Sequence, residues 1–256
     1  MDDAALAAWW DSHAPEWVDG PRSRNSKMYI AAPQFRSLWG DLRGRRVLDA
    51  GCGGGWLTRV VAAEGALVDA VDFSPAMIAG ARGLDGGAGA RYHVASLCDL
   101  GIFEDGCFDA VVSHCCLQDV PDYRSALREL ARVLRSGGPL ILSVVHPWTW
   151  GVSAKPGSDA HWGPPAPGAA FRGFIEDPQY LVERSDGPTM FHRPVAAYFG
   201  AIREAGFRVV GLYEPRPADE MGPILGSDER WERWRRVPDF LFFHGVREEG
   251  RRAGSP

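Results

Sequence analysis

The sequence predicts an α/β fold, a parallel sheet with helices on both of its faces. Three observations carry that expectation. Short apolar runs alternate with helix-patterned segments from Arg45 to Val145. The first run, Val47-Leu48-Asp49-Ala50, leads straight into the glycine turn Gly51-Cys52-Gly53-Gly54-Gly55. The second, Leu67 to Val71, ends at Asp72. Right-handed crossovers between parallel strands leave few other topologies.

Ahead of the sheet, residues 4–18 read as a helix on the apolar positions Leu6, Trp9, Trp10, Trp17 and Val18. A second helix is expected over 26–40, carrying Met28, Ile30, Phe35, Leu38 and Trp39. The glycine turn opens a helix over Trp56 to Glu64. Ser74-Pro75 pairs a capping hydroxyl with a first-turn proline and starts a helix reaching Arg82. Strands follow at Arg91 to Ala95 and Phe108 to Ser113, then a helix over Tyr123 to Arg135 stopped by Gly137-Gly138, then a strand from Leu140 to Val145. Between 147 and 190 the rhythm breaks. That stretch is rich in Gly and Pro yet holds Trp148, Trp150, Trp162, Phe171, Phe174 and Tyr180. Linkers lack aromatics, so an ordered excursion is expected there. A helix (Pro194 to Ala205), a strand (Phe207 to Glu214), a helix (Ser227 to Arg236) and a last strand (Phe240 to Val246) complete the pattern, and 248–256 reads as a flexible tail.

Composition excludes several classes of function. A net charge of −5 over 256 residues offers no basic field for nucleic acid or anionic lipid. No apolar run approaches the roughly 18 residues of a spanning helix. The acidic start Met1-Asp2-Asp3 lacks the pattern of a secretory signal, so the expected location is cytoplasmic. Five cysteines, at 52, 98, 107, 115 and 116, are an odd number without framework spacing and read as reduced thiols. His114-Cys115-Cys116 is a poor metal site, because adjacent strand residues face opposite ways and no second ligand pair follows. No metal is expected.

A strand, a glycine turn and a helix form a ligand site where the strand order reverses. The dinucleotide pattern G-x-G-x-x-G seats a pyrophosphate on the helix N-terminus. Here Trp56 stands at the third glycine's position, and Asp49 lies just ahead of Gly51, where a carboxylate repels phosphate. Asp72 closes the second strand, where an acid can accept from both ribose hydroxyls. The set suits an adenosine-like ligand that lacks phosphate and carries positive charge. S-adenosylmethionine, a sulfonium, meets both conditions.

Val47-Leu48-Asp49-Ala50-Gly51-Cys52-Gly53-Gly54-Gly55, followed by Val71-Asp72-Phe73-Ser74, resembles the class I S-adenosylmethionine-dependent methyltransferases. The resemblance continues through Phe108-Asp109-Ala110-Val111-Val112-Ser113 and Arg132-Val133-Leu134-Arg135-Ser136-Gly137-Gly138, covering residues 24–147. A narrower likeness adds Asp119-Val120-Pro121-Asp122-Tyr123, Ser143-Val144-Val145-His146-Pro147, His192-Arg193-Pro194 and Glu204-Ala205-Gly206-Phe207. These runs are similar to a small-molecule branch (methyltransferase type 11/25-like) with a cap between the fifth strand and the next helix. The resemblance implies a Rossmann-like, seven-stranded sheet with an antiparallel final hairpin. It divides the chain into an N-terminal helical lid (1–40), a cofactor-binding methyltransferase domain (41–146 and 191–247), an inserted substrate cap (147–190) and the tail.

By position, Gly51 and Gly53 resemble the glycines that pass under the cofactor's methionine moiety, Asp72 the ribose acid, and Phe73 the neighbour of adenine. Ser96 and Leu97 occupy the place of an adenine-binding acid and the amide donor after it. Ser96 departs from the pattern, since it carries no charge, and Asp99 is the nearby acid. Ser113 and His114 follow the fourth strand, where the backbone meets the methionine end. Lys27 and Tyr29 align with a basic-x-aromatic pair that approaches the cofactor carboxylate, although a solvated charge and a packed aromatic are the plainer reading. Trp148 and Phe171 are the candidate substrate lining, against the alternative of a minicore of the cap.

Three residues are candidates for an acid or base. His146 directly follows the fifth strand at the ligand-binding edge, or shapes the turn before Pro147. Asp119 follows the fourth strand, or caps the helix at Tyr123. His192 precedes Arg193-Pro194, or anchors the cap's return. The expected activity is methyl transfer from S-adenosylmethionine, leaving S-adenosylhomocysteine, to an O or N atom of a small natural-product-like molecule, by a monomer or homodimer. The alternatives are a protein or peptide methyltransferase and a non-methylating cofactor-binding module.

Overall fold

A computed structural model describes residues 3–18, 27–147, 180–182, 190–225 and 231–249. In chain order the elements are α1 (Asp3–Val18), a π-turn (Lys27–Ala31) running into α2 (Ala32–Trp39), β1 (Arg46–Ala50), α3 (Trp56–Ala63), β2 (Leu67–Asp72), α4 (Pro75–Gly83), β3 (Arg91–Val94) and β4 (Ala110–His114). Then come α5 (Tyr123–Val133), β5 (Pro139–Val145), β6 (Tyr180–Val182), β7 (Met190–His192), α6 (Val195–Glu204), β8 (Phe207–Tyr213), α7 (Gly222–Leu225), α8 (Trp231–Trp234) and β9 (Phe240–Arg247).

Seven strands form one sheet in the order β3-β2-β1-β4-β5-β9-β8. The first five are parallel, and β9 pairs antiparallel with both β5 and β8. This is the Rossmann-like arrangement that the sequence leads one to expect, final hairpin included. Successive strand residues face opposite ways, and the core divides accordingly. Leu48, Val111 and Leu142 point to the side covered by α5 and α6, with Leu127, Leu130 and Ile202. Val47, Val112 and Ile141 point to the side of α2, α3 and α8, with Phe35, Trp39, Val61 and Trp234. Central strands buried on both faces need such unbroken apolar runs.

Helix boundaries follow local chemistry. Ser74 caps α4 by accepting from the Met77 amide at 3.1 Å, with Pro75 in the first turn. Asp122 caps α5 by accepting from the Ser125 amide at 3.0 Å. It stands immediately before the helix, so the capping role weighed for Asp119 falls to Asp122 instead. The single helix expected over 26–40 begins as a π-turn, because Pro33 has no N–H for the regular ladder. The late helix is shorter in its described part than Ser227 to Arg236, and it is preceded by a 3₁₀ turn (Asp219–Met221) and α7, which apolar periodicity does not reveal. A two-stranded antiparallel pair, β6 and β7, also escapes the sequence pattern.

The two N-terminal helices do different things. α2 packs Phe35 and Trp39 into the core. α1 lies against α4, and Val18 sits so close to two glycines that a Cβ on Gly54 or Gly80 would come within 2.8 Å or 2.5 Å of it. Asp11 clasps the start of α4, accepting from Ser74 Oγ at 2.5 Å and from the Ala76 amide at 3.1 Å. Ser74→Ala removes the cap of α4 and a bond to α1 together. It should lower stability by about 1–2 kcal/mol and speed amide exchange throughout α1. Denaturant melts and hydrogen exchange check this, and unchanged protection of α1 would contradict it.

Candidate functional site

The strand order reverses between β1 and β4, so a crevice opens at their carboxyl ends. Its floor is the turn from Gly51 to Gly55. Gly51 and Gly53 have φ of 73° and 51°, a region that side chains disfavour. A Cβ on Gly51 would lie 2.1 Å from Cys116 Sγ, so the segment after β4 packs against bare backbone there. The amides of Gly51 and Cys52 both donate to Val71 O at 2.9 Å. Asp72 completes the tie, accepting from the Gly53 amide at 2.9 Å on one oxygen and from the Ser74 amide at 3.0 Å on the other.

Two carboxyls are buried beside this turn. Burial pushes Asp49 up to about 7, against the hydrogen bond that Thr58 Oγ1 donates at 2.6 Å and with the charge of Asp72 adding to the rise. Burial likewise pushes Asp72 up to about 6, although backbone amides, those of Ser74 and Gly53 foremost, favour its charged form. A cationic ligand relieves both groups, and a phosphate aggravates them. Each oxygen of Asp72 takes one amide and keeps a second lone pair, the acceptor set that a ribose diol needs. The N-terminus of α3 also faces the turn, with its positive dipole end available to a carboxylate. The residues present therefore fit an adenosyl sulfonium bearing an amino-acid carboxylate.

The other candidates for cofactor contact are distributed around this edge. Ser113 Oγ donates to Ala50 O at 2.7 Å and so links β4 to β1. His114 Nδ1 meets Ser143 Oγ at 2.7 Å, and its ring lies edge-on to Trp56, Phe240 and Phe35 at centroid distances of 5.0, 4.9 and 6.0 Å. Phe73 is half-buried next to Asp72. Ser96 Oγ accepts from the Cys98 amide at 3.2 Å, Leu97 packs into the core, and exposed Asp99 accepts from the Gly101 amide within its own turn. Tyr29 packs against the core beneath α2, and Lys27 begins the π-turn.

The three acid–base candidates are brought to one place. His146 follows β5, its amide donating to Asp239 O at 2.9 Å and its Nε2 lying 2.9 Å from Glu214 Oε1 at the end of β8. His192, on β7, places Nε2 3.1 Å from Pro147 O, the residue after His146. Burial pushes the His192 imidazole down, toward its neutral form. Asp119 ends a 3₁₀ turn (Leu117–Asp119) that packs on β7, and Gln118 Nε2 donates to it at 3.1 Å. Trp148 and Phe171 lie outside the described residues.

Several polar residues here carry no signal in the sequence reading. Arg193 is buried, donates to Leu117 O and Val120 O at 2.8 Å, and stacks between Tyr123 and Phe191 at 4.1 and 4.7 Å. It was visible only as the middle of His192-Arg193-Pro194. Glu214 could have been found by the rule that singles out Asp72, an acid at the carboxyl end of a strand. Asp11 and Gln118 had no comparable signal. Among the described residues, no three His, Cys, Asp or Glu converge on a metal position, and no helix is long and apolar enough to cross a membrane.

Sheet order and crevice together define a Rossmann-like fold with its ligand edge at the glycine turn. Residues 48–142 match a family model described as a methyltransferase domain. The chain is 40% identical over 146 residues to the ubiquinone biosynthesis O-methyltransferase of Xanthomonas oryzae pv. oryzae, covering 56% of this chain. That alignment spans 59% of the relative's own length. An S-adenosylmethionine dependent methyltransferase from Mesorhizobium loti superposes with a TM-score of 0.68 at 28% identity, over 84% of this chain and 96% of that one. The fold is shared with a Burkholderia thailandensis 1,6-didemethyltoxoflavin-N1-methyltransferase holding S-adenosylhomocysteine (TM-score 0.60, 20% identity, 97% and 92% coverage). Over the sheet and its crossovers the chain is thus similar to S-adenosylmethionine-dependent methyltransferases.

The raised acids give a signed expectation. A sulfonium binds best when Asp49 and Asp72 are ionised, so S-adenosylmethionine affinity should fall as pH drops through 7 and 6. The loss approaches roughly tenfold per pH unit for each proton taken up. S-adenosylhomocysteine, which has no sulfonium charge, should weaken less. Calorimetry between alkaline and mildly acidic pH checks this, and the same pH dependence for both ligands would contradict it.

Proposed function

We propose that the protein methylates a hydroxyl oxygen of a small, partly aromatic molecule, with S-adenosylmethionine as donor. The observation that carries this reading is the position of His146, a buried imidazole at the carboxyl end of β5 on the same edge as the glycine turn and Asp72. The name of the Xanthomonas relatives, an O-methyltransferase, points the same way. The net charge of −5 argues against nucleic acid as acceptor.

Bound in the crevice, S-adenosylmethionine supplies an electrophilic methyl group on a good leaving group. The work left to the protein is placement and one proton. Asp72 accepts from the ribose hydroxyls, and the bare backbone at Gly51 and Gly53 lets the methionine moiety approach. Arg193 fixes the turn that bears Gln118 and Asp119, on the acceptor side. In-line placement supplies much of the acceleration. A protonated hydroxyl is a weak nucleophile, and His146 is the base that takes its proton as the new bond forms.

His146→Ala should lower kcat on hydroxyl acceptors by roughly 10²- to 10⁴-fold while leaving S-adenosylhomocysteine affinity intact. Mass spectrometry of a panel of phenols and alcohols checks it, each product being one methylene heavier than its acceptor. Cofactor binding with no product across the panel would favour a non-methylating module, and unaltered turnover in the variant would remove His146 from the chemistry.

A further inference from the structure

We infer that Asp11, on α1, is a positioning residue for the cofactor: through Ser74 it holds Asp72 in place, so that docking of α1 and binding of S-adenosylmethionine strengthen each other. This rests on the S-adenosylmethionine reading of the crevice and needs nothing of the acceptor. Behind it stands a closed ring of contacts. Asp11 Oδ1 accepts from Ser74 Oγ at 2.5 Å and from the Ala76 amide at 3.1 Å. Buried Ser74 turns its own amide to Asp72 Oδ1 at 3.0 Å. The other oxygen of Asp72 takes the Gly53 amide at 2.9 Å. Gly54, next in the glycine turn, lies so close under the backbone of Val18 that a Cβ there would come within 2.8 Å of Val18 Cα. Val18 belongs to α1 again, about two turns beyond Asp11.

Ser74 is held from both ends, its hydroxyl between α1 and the first turn of α4, its amide on Asp72. Few side chains of α1 are buried. Among those described, Leu6 and Ala14 are, while Trp9, Trp10 and Trp17 are half-exposed. A helix so lightly packed opens more readily than the core. When it does, the Ser74 hydroxyl and the Ala76 amide lose their acceptor and Gly54 loses its cover. The glycine turn and the Asp72 corner are the two segments that the cofactor joins, and α1 spans the same two from outside. An element that already holds them in place spares the ligand that ordering. A ligand that holds them favours the element in return, by the same factor. Charge runs the other way. Burial causes most of the rise in Asp72, and the charge of Asp11 adds to it. The clasp therefore acts through its hydrogen bonds and in spite of its charge.

Two variants loosen α1 by different routes. Asp11→Ala removes the clasp. Gly80→Ala leaves Asp11, Ser74, Asp72 and the glycine turn as they are, but its Cβ would meet Val18 Cγ2 at 2.5 Å and Cγ1 at 2.8 Å, while alanine favours α4 itself. Both should weaken S-adenosylhomocysteine, measured by calorimetry, by about 5- to 50-fold. Both should speed amide exchange in α1 and leave α5 and β5 at parent rates. In the parent, saturating S-adenosylhomocysteine should slow exchange in α1 by a similar factor. Asp11→Asn, which keeps the accepting oxygen and removes the charge, should bind at least as tightly as the parent. Faster exchange in α1 with parent affinity in both alanine variants overturns the inference. So does a parent α1 whose exchange ignores the bound ligand, and so does a loss in Asp11→Asn equal to that in Asp11→Ala. A parent protein that binds no S-adenosylhomocysteine at all defeats the reading of the crevice, and the inference with it. Turnover is not measured, so failure to find an acceptor leaves the result standing.

Discussion

The carboxylate of Asp72 ties the first two crossovers of the sheet into one rigid corner. It accepts from Gly53 in the turn after β1 and from Ser74 at the head of α4. Because both of those amides lie outside the helical and sheet ladders, losing the carboxylate would leave two donors to find other partners. The same group is buried with its charge disfavoured, next to Asp49, whose charge burial disfavours further. The corner is thus stable as backbone and unsettled as electrostatics. A ligand that brings hydroxyl donors and positive charge resolves the second problem without disturbing the first.

The far side of the crevice obeys a similar rule. Buried polar groups need partners, and here they find them across long stretches of sequence. Arg193, just after β7, is held by carbonyls of the turn after β4, and His192 by the carbonyl of Pro147 after β5. His192 and Arg193 are therefore bonded to the turns after β4 and β5. Cys116 carries the connection on to Gly51, the bare point of the cofactor turn. The turns after β4 and β5 and the glycine turn thus share one backbone framework.

Much of the fold is legible in the sequence because it depends on local signals. Ser74-Pro75 announces α4, Gly137-Gly138 ends the stretch after α5, and the apolar runs at 47–50 and 110–113 are unmistakable as buried strands. The glycine turn and Asp72 are legible for the same reason, since strand, turn and acid are contiguous. The illegible parts depend on distance or on missing periodicity. β6 and β7 have three residues each, too short for a pattern, and the π-turn before α2 reflects one proline within an otherwise regular stripe. Glu214 lies 68 positions from His146, and Asp11 lies 63 from Ser74. Only the closed sheet brings such pairs together. The cap at Tyr123 shows the opposite failure, where two acids of one segment compete on paper and adjacency to the helix decides for Asp122.

The most direct measurement of the central claim is a side-by-side titration of the purified protein with S-adenosylhomocysteine and with a nicotinamide dinucleotide. A crevice whose two buried acids exclude phosphate predicts saturable heat for the thioether and none for the dinucleotide. Uptake of the dinucleotide alone would contradict the assignment of the crevice and, with it, the chemistry built on its edge.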